Sequence, residues 1–209
     1  MKVTIVGAGN MGRAIGTRAI AGGHEVEIID RDPAEARELA GDLGGSATAL
    51  QRGAPFGGEV VVFAVYYPGI KDAVEAYADQ LAGKVVVDIT NPVNTETWDS
   101  LATAPGSSSA EEIAELVPQG TPVVKAFNTT FAGTLVEGEV AGQQLDVFVA
   151  SDDEDAKQKI SRFVADAGLR PIDAGPLRRA QQLEHVGFLH ISLQQPLNLG
   201  FASAIKLHP

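Results

Sequence analysis

The sequence predicts an α/β fold, a doubly wound parallel sheet carrying a small carboxy-terminal α/β extension. Three observations predict it. Short apolar runs alternate with amphipathic helical patterns nearly to the end of the chain. The central runs, EVVVFAV at 59–65 and KVVVDI at 84–89, are apolar almost throughout, as strands covered on both faces must be. A glycine-rich turn, Gly7-Ala8-Gly9-Asn10-Met11-Gly12, joins the first apolar run to the first helical pattern.

In chain order, residues 2–6 read as a strand and 10–22 as its helix, with Met11, Ala14, Ile15, Arg18 and Ala19 at helical spacing. Residues 25–30 form the second strand. Asp32-Pro33 opens a helix from Ala34 to about Gly41, with proline where a helix start tolerates it. A short, weak strand is placed at 46–48, a helix at 68–81 and loop at 94–108. Ser109 and Glu112 are spaced as a capping box for a helix reaching Val117. Residues 121–127 make a further strand, and 128–143 are glycine-rich and irregular. A strand at 145–150, a helix to about Ala167 capped near Ser151–Glu154, and a short strand at 169–173 follow. Residues 176–199 read as one long helix bent near Pro196. The expected division is a dinucleotide-binding Rossmann domain over 1–130 and a small subdomain over 131–209.

The first 31 residues give strand, glycine turn, helix, strand and acid in register. Gly7 permits the tight turn, Gly9 lets the backbone approach a pyrophosphate, and Gly12 lets the helix pack close to the strand. The free N–H groups of the helix start, with Asn10 and Met11, face the phosphates. Asp30 lies 30 − 7 = 23 positions after the first glycine, close to the roughly 20 of a ribose-binding acid. Ligands of such sheets sit beyond the carboxyl ends of the strands. That edge collects the glycine turn, Asp30-Arg31, Val65-Tyr66-Tyr67, Thr90-Asn91-Pro92-Val93 and Asn128-Thr129-Thr130, with the nicotinamide expected near Asn91–Val93 and Asn128.

Bulk properties exclude several classes. At 209 residues, 44% hydrophobic and 21% charged, the chain buries a core. No apolar run approaches the roughly 18 residues that span a bilayer, and no basic, apolar leader stands at the start. The expectation is a cytoplasmic protein without a membrane partner. There is no cysteine, hence no disulfide, thiol nucleophile or zinc–thiolate site. A net charge of −11 argues against nucleic acid.

Candidate catalysts are few. Tyr67 and Lys71 have Y-x-x-x-K spacing, but Pro68 marks a helix start at the tyrosine rather than an interior. Lys125 ends a strand and reads as structural or phosphate-contacting. His24, His185, His190 and His208 show no metal-ligand spacing, so no metal is expected. No catalytic acid or base is assigned. Direct hydride transfer between two bound rings needs little of either, only close placement and exclusion of water.

GAGNMG, ITNPV, VVKAFNTTFAG, LDVFVASDDEDAK and GLRPIDAGPLRRAQQLE together resemble the deazaflavin-dependent NADP reductase family (NADPH:coenzyme F-420 oxidoreductases) over essentially the whole chain. A related module is the cytosolic NADPH-binding domain of six-transmembrane ferric reductases. The resemblance implies hydride exchange between NADP and coenzyme F-420 in a cytoplasmic homodimer. It places the nicotinamide against Asn91, Pro92, Val93 and Tyr66. The deazaflavin would lie near Lys125, Ala126, Asn128, Thr129, Leu177 and Arg178, with Arg178 and Arg179 meeting its anionic tail. The family typically carries Ser-Arg or Thr-Arg where this chain has Asp30-Arg31. Asp30 suits a free ribose diol, as in NAD enzymes, and Arg31 suits a phosphate, so NADP and NAD both stand. Two other readings stand beside this one: an NAD(P)H-dependent reductase of a flavin or a small carbonyl or imine, and a non-catalytic NAD(P)-binding module.

Overall fold

A computed structural model describes residues 1–208. Strands β1 (Lys2–Val6), β2 (Glu25–Ile29), β3 (Ala47–Ala49), β4 (Val60–Phe63), β5 (Val85–Asp88) and β6 (Val123–Lys125) pair in parallel in the order β3-β2-β1-β4-β5-β6. The order reverses between β1 and β4, so their outgoing loops part and leave a crevice at that edge. β9 (Asp146–Ala150) and β10 (Arg170–Gly175) extend the same sheet beyond β6, making eight strands. The sheet is parallel except at one junction, where β6 and β9 meet antiparallel through Lys125 and Ala150. A separate two-stranded hairpin is formed by β7 (Glu139–Val140) and β8 (Gln143–Gln144).

Side chains alternate across this sheet and split the core in two. Val60 and Val62 face a layer containing Ala14, Ile15 and Ala19 of α1 (Asn10–Ala21), Leu39 of α2 (Pro33–Leu43), Leu135 of α5 (Ala132–Glu137) and Ile160 and Phe163 of α6 (Glu154–Asp166). Val61 and Phe63 face the other layer, with Ile70, Val74 and Tyr77 of α3 (Ile70–Tyr77) and Ile113 of α4 (Ser109–Ala114). Each such fully buried aliphatic or aromatic side chain contributes about 1.5–3 kcal/mol. That sustained burial on both faces is why β4 and β5 read as unbroken apolar runs.

Several elements differ from expectation. The 68–81 helix is in fact a 3-10 turn at Tyr67–Gly69, then α3, then a 3-10 turn at Ala78–Gln80. The cap of α4 is Ser108, whose hydroxyl accepts from the Glu111 backbone N–H at 3.2 Å and donates to the Glu111 carboxylate at 2.7 Å. The capping box therefore sits one residue earlier than Ser109/Glu112, and α4 stops at Ala114. The irregular stretch 128–143 contains α5 and half of the hairpin, with Gly138 at φ +78° closing the helix. The last helix, α7 (Ala180–Ser192), ends before Pro196, so proline bends nothing. The chain then folds back. Gln194 accepts from the Phe201 N–H at 3.0 Å, and Asp146 on β9 holds Lys206 and the Leu207 N–H, both at 2.9 Å.

Candidate active site

The glycine turn is shaped by close backbone approach. Gly7 lies at φ +114°, and a Cβ there would meet the Ala64 carbonyl oxygen at 2.3 Å, where β4 runs beside the turn. A Cβ on Gly12 would strike the Gly7 oxygen at 2.0 Å. Gly9 is the opposite case, since a Cβ there would find nothing within 4 Å. Gly9 is also the N-cap of α1, and no side chain caps that end. An uncapped helix start opening on empty space fits a pyrophosphate, whose charge complements the free N–H groups.

Two cavities meet at this turn. The first, about 560 Å³, is lined by Gly9, Asn10, Met11, Val65, Tyr66, Tyr67, Ile89, Thr90, Asn91, Val93, Trp98, Thr130, Phe131, Ile191 and Phe201 among others. No charged side chain lines it among the described residues. Tyr66 is 91% exposed and Trp98 65% exposed, leaving two aromatic faces unpacked at this cavity. Trp98 is fixed at φ +56° in a loop pinned by a bridge between Val93 and Leu101. Phe201 packs edge-on against Phe131 at 5.1 Å, so the returning tail forms part of the wall. The second cavity, about 810 Å³, is lined by Gly7, Gly9, Asp30, Arg31, Asp32, Glu35, Arg52, Val65, Tyr66 and Asp72, among others.

The wall behind the first cavity is held by buried polar groups. Asn91 and Asn128 exchange side-chain bonds: Asn91 donates to the Asn128 carbonyl at 2.7 Å, and Asn128 donates to Asn91 Oδ1 at 2.9 Å and to the Leu183 carbonyl at 2.8 Å. α7 comes this close because residue 187 is glycine, where a Cβ would meet Asn91 Oδ1 at 2.3 Å. Deeper, the Lys125 ammonium donates to Asp88 at 2.8 Å, to Glu184 at 2.7 Å and to the Thr90 carbonyl. Burial pushes the Lys125 pKa down, but the two carboxylates outweigh it and leave the pKa above its usual value. Burial pushes Glu184 up, against the pull of Lys125. The phenol of Tyr67 is pushed up to about 12 by burial and by its bond to Glu112 at 3.0 Å.

Gly7, Gly9, Asn10, Met11, Asp30, Arg31, Val65, Tyr66, Asn91 and Val93 all line one cavity or both. Gly12 serves packing, and Pro92 is buried beside the wall. The expected deazaflavin set is less well placed. Lys125 is fully buried in its ion triad, as the structural reading of this residue expects, and lines neither cavity, which sets it apart from the deazaflavin group in which it was also placed. Ala126, Asn128 and Thr129 are buried behind the wall, and Leu177 joins the second core. Arg178 is exposed and lines neither cavity. The first cavity is lined by Thr130, expected at this edge, and by Trp98, Phe131, Ile191 and Phe201, which the sequence did not single out. The lone Trp of the chain, in a polar loop, was the one available signal.

The Rossmann sheet, the open glycine cradle and the contiguous apolar cavity together form a crevice shaped for a dinucleotide. Residues 2–92 match the family described as "NADP oxidoreductase coenzyme F420-dependent". It is 33% identical to rat Metalloreductase STEAP3 over 88% of this chain, although it spans only 36% of that protein's length. It is 26% identical to the F420-dependent NADP reductase of Methanocaldococcus jannaschii, with 92% of each covered. A solved structure from Arthrobacter sp. FB24, described as a "putative f420 dependent nadp-reductase", superposes with a TM-score of 0.84 at 28% identity over the full length of both chains. Among the described residues no group of acids and histidines could hold a metal, and no helix is long and apolar enough to cross a membrane.

Proposed function

We propose that the chain catalyses hydride exchange between a nicotinamide dinucleotide and the deazaflavin coenzyme F420. The observation that carries this reading is the first cavity: apolar, rich in aromatic side chains, open to the glycine turn and free of charged side chains. Two stacked rings need just such a crevice. The reactive carbons must be held about 3–3.5 Å apart with water kept out. When bound, the nicotinamide supplies the hydride and the deazaflavin accepts it, or the reverse. The residues of this chain bind and orient. Gly9, Asn10 and Met11 present the helix start to the pyrophosphate; Asn91, fixed by Asn128, and Val93 form the wall for the nicotinamide; Tyr66, Trp98 and Phe131 offer aromatic faces to the second ring.

The alternative, reduction of a small carbonyl, needs a proton for the product oxygen. The titratable side chains on this wall are Tyr66 and Tyr67, and Tyr67, with a pKa of about 12 and its hydroxyl donating a hydrogen bond to Glu112, is poorly suited to give up a proton. Transfer between two rings asks for no such donor. The exposed Leu189, Leu193 and Leu197, four residues apart along one side of the carboxy-terminal helix and its extension, accord with a homodimer.

The test is an anaerobic absorbance assay with oxidised F420 and either NADPH or NADH. Rapid bleaching of the deazaflavin band is expected. No bleaching with either donor, although the nucleotides bind, would overturn F420 as substrate and turn attention to flavins and carbonyls.

A further inference from the structure

The second cavity bears on which dinucleotide is used, and it fits poorly the NADP named in the family's description. We propose that this chain selects the dinucleotide with an unphosphorylated 2′-hydroxyl, NAD(H), and that Asp30 is the selecting residue; this rests on the nucleotide reading above and sharpens it.

Asp30 follows β2 directly, on the cavity wall. Its carboxylate is clamped by the backbone on both sides. Oδ2 accepts the Ala8 N–H of the glycine turn at 2.7 Å, and Oδ1 accepts the Asp32 N–H at 2.9 Å. Swinging the side chain away would break both bonds. Each carboxylate oxygen keeps capacity for a further hydrogen bond, and a ribose 2′,3′-diol brings two O–H donors. A 2′-phosphate brings charge and acceptors instead, and would meet a carboxylate that cannot retreat.

The helix start at which a 2′-phosphate could settle is taken. The start of α2 would ordinarily offer free N–H groups to an anion. Here Asp32 already accepts the Ala34 N–H at 2.8 Å, Pro33 has no N–H to give, and Glu35 adds a carboxylate in the first turn. The cavity wall sets four carboxylates (Asp30, Asp32, Glu35, Asp72) against two guanidiniums (Arg31, Arg52). Both arginines are exposed, and a flat guanidinium there can lie on the adenine face as readily as it can pair with a phosphate.

Titration calorimetry of the full chain with NAD+ and NADP+, repeated with ADP-ribose and 2′,5′-ADP, reads this without turnover. NAD+ should bind at least about tenfold more tightly than NADP+, the size expected from charge-assisted bonds made to one ligand and lost with the other. Asp30→Ser should weaken NAD+ by about tenfold and tighten NADP+, and Asp30→Asn should move both in the same directions by less. Wild-type affinity for NADP+ equal to or above that for NAD+ overturns the proposal while leaving the nucleotide site intact. So does an Asp30→Ser variant that shifts both ligands by one factor. Failure of all four ligands to bind overturns the nucleotide site itself, and this proposal with it.

Discussion

The two cavities share Gly9, Ala64, Val65, Tyr66 and Pro68, yet opposite chemistry surrounds that common floor. One is walled by aromatic and aliphatic groups without a charge; the other carries six charged side chains. The apolar cavity has only to hold rings and exclude water. In the proposed role the polar one tells nearly identical nucleotides apart, which requires placed hydrogen-bond partners. On the function proposed above, chemistry and selection are separated along one crevice, on either side of the glycine turn.

The largest expected effect lies behind the apolar wall. Lys125→Met leaves Asp88 and Glu184 buried without their shared cation and should cost about 3–5 kcal/mol, measured by denaturant unfolding. A loss under 1 kcal/mol would show that the triad does not hold the wall. Gly9→Val removes the shared floor instead. A Cβ there is unopposed, and the backbone, at φ −69° and ψ −174°, accepts any residue. Thermal stability should hold while dinucleotide affinity falls by about a hundredfold, roughly 2.7 kcal/mol. Equal losses of both would mean that the turn is structural rather than a binding surface.

Acid distinguishes the cavities by another route. Asp146, although buried, is drawn down to about 2 by Arg170, Lys206 and the Leu207 N–H. A depressed carboxylate stabilises the fold above its ordinary value of 3.8, and that contribution is lost as pH falls through about 2. The loss should be about 2 kcal/mol, and Asp146→Asn should flatten it in an acid titration of stability. Because Asp146 anchors the tail that carries Phe201, the same variant should loosen the apolar cavity and spare the polar one. Trp98→Ala should raise the KM for the deazaflavin roughly fivefold, for about 1 kcal/mol of lost stacking, without changing dinucleotide affinity. Tyr67→Phe should change turnover least of all, because its hydroxyl is engaged in a hydrogen bond to Glu112.

What was legible in the sequence was local. The glycine turn needs φ +114° at Gly7 and bare backbone at Gly12, and glycine announces both. β4 and β5 declare double-sided burial by being valine-rich throughout. The misplaced expectations depended on distant partners. Lys125 is neutralised by Asp88, 37 positions earlier, and by Glu184, 59 positions later, and no spacing rule joins them. Phe201 reaches the cavity because Gln194 and Asp146 fold the tail back, and Ile191 is presented by α7. α5 was hidden because the glycines around it act as caps and turns rather than as signs of disorder, Gly138 above all.

The most direct test of direct ring-to-ring transfer in the apolar cavity follows a deuterium label. Under anaerobic conditions, dinucleotide deuterated at nicotinamide C4 is oxidised by F420 in ordinary water, and the reduced deazaflavin is analysed by mass spectrometry. The account predicts that the label from the transferring face arrives at deazaflavin C5 undiluted by solvent hydrogen. Appearance of the label in water instead, with solvent hydrogen at C5, would contradict a water-excluded cavity that passes hydride directly between two rings.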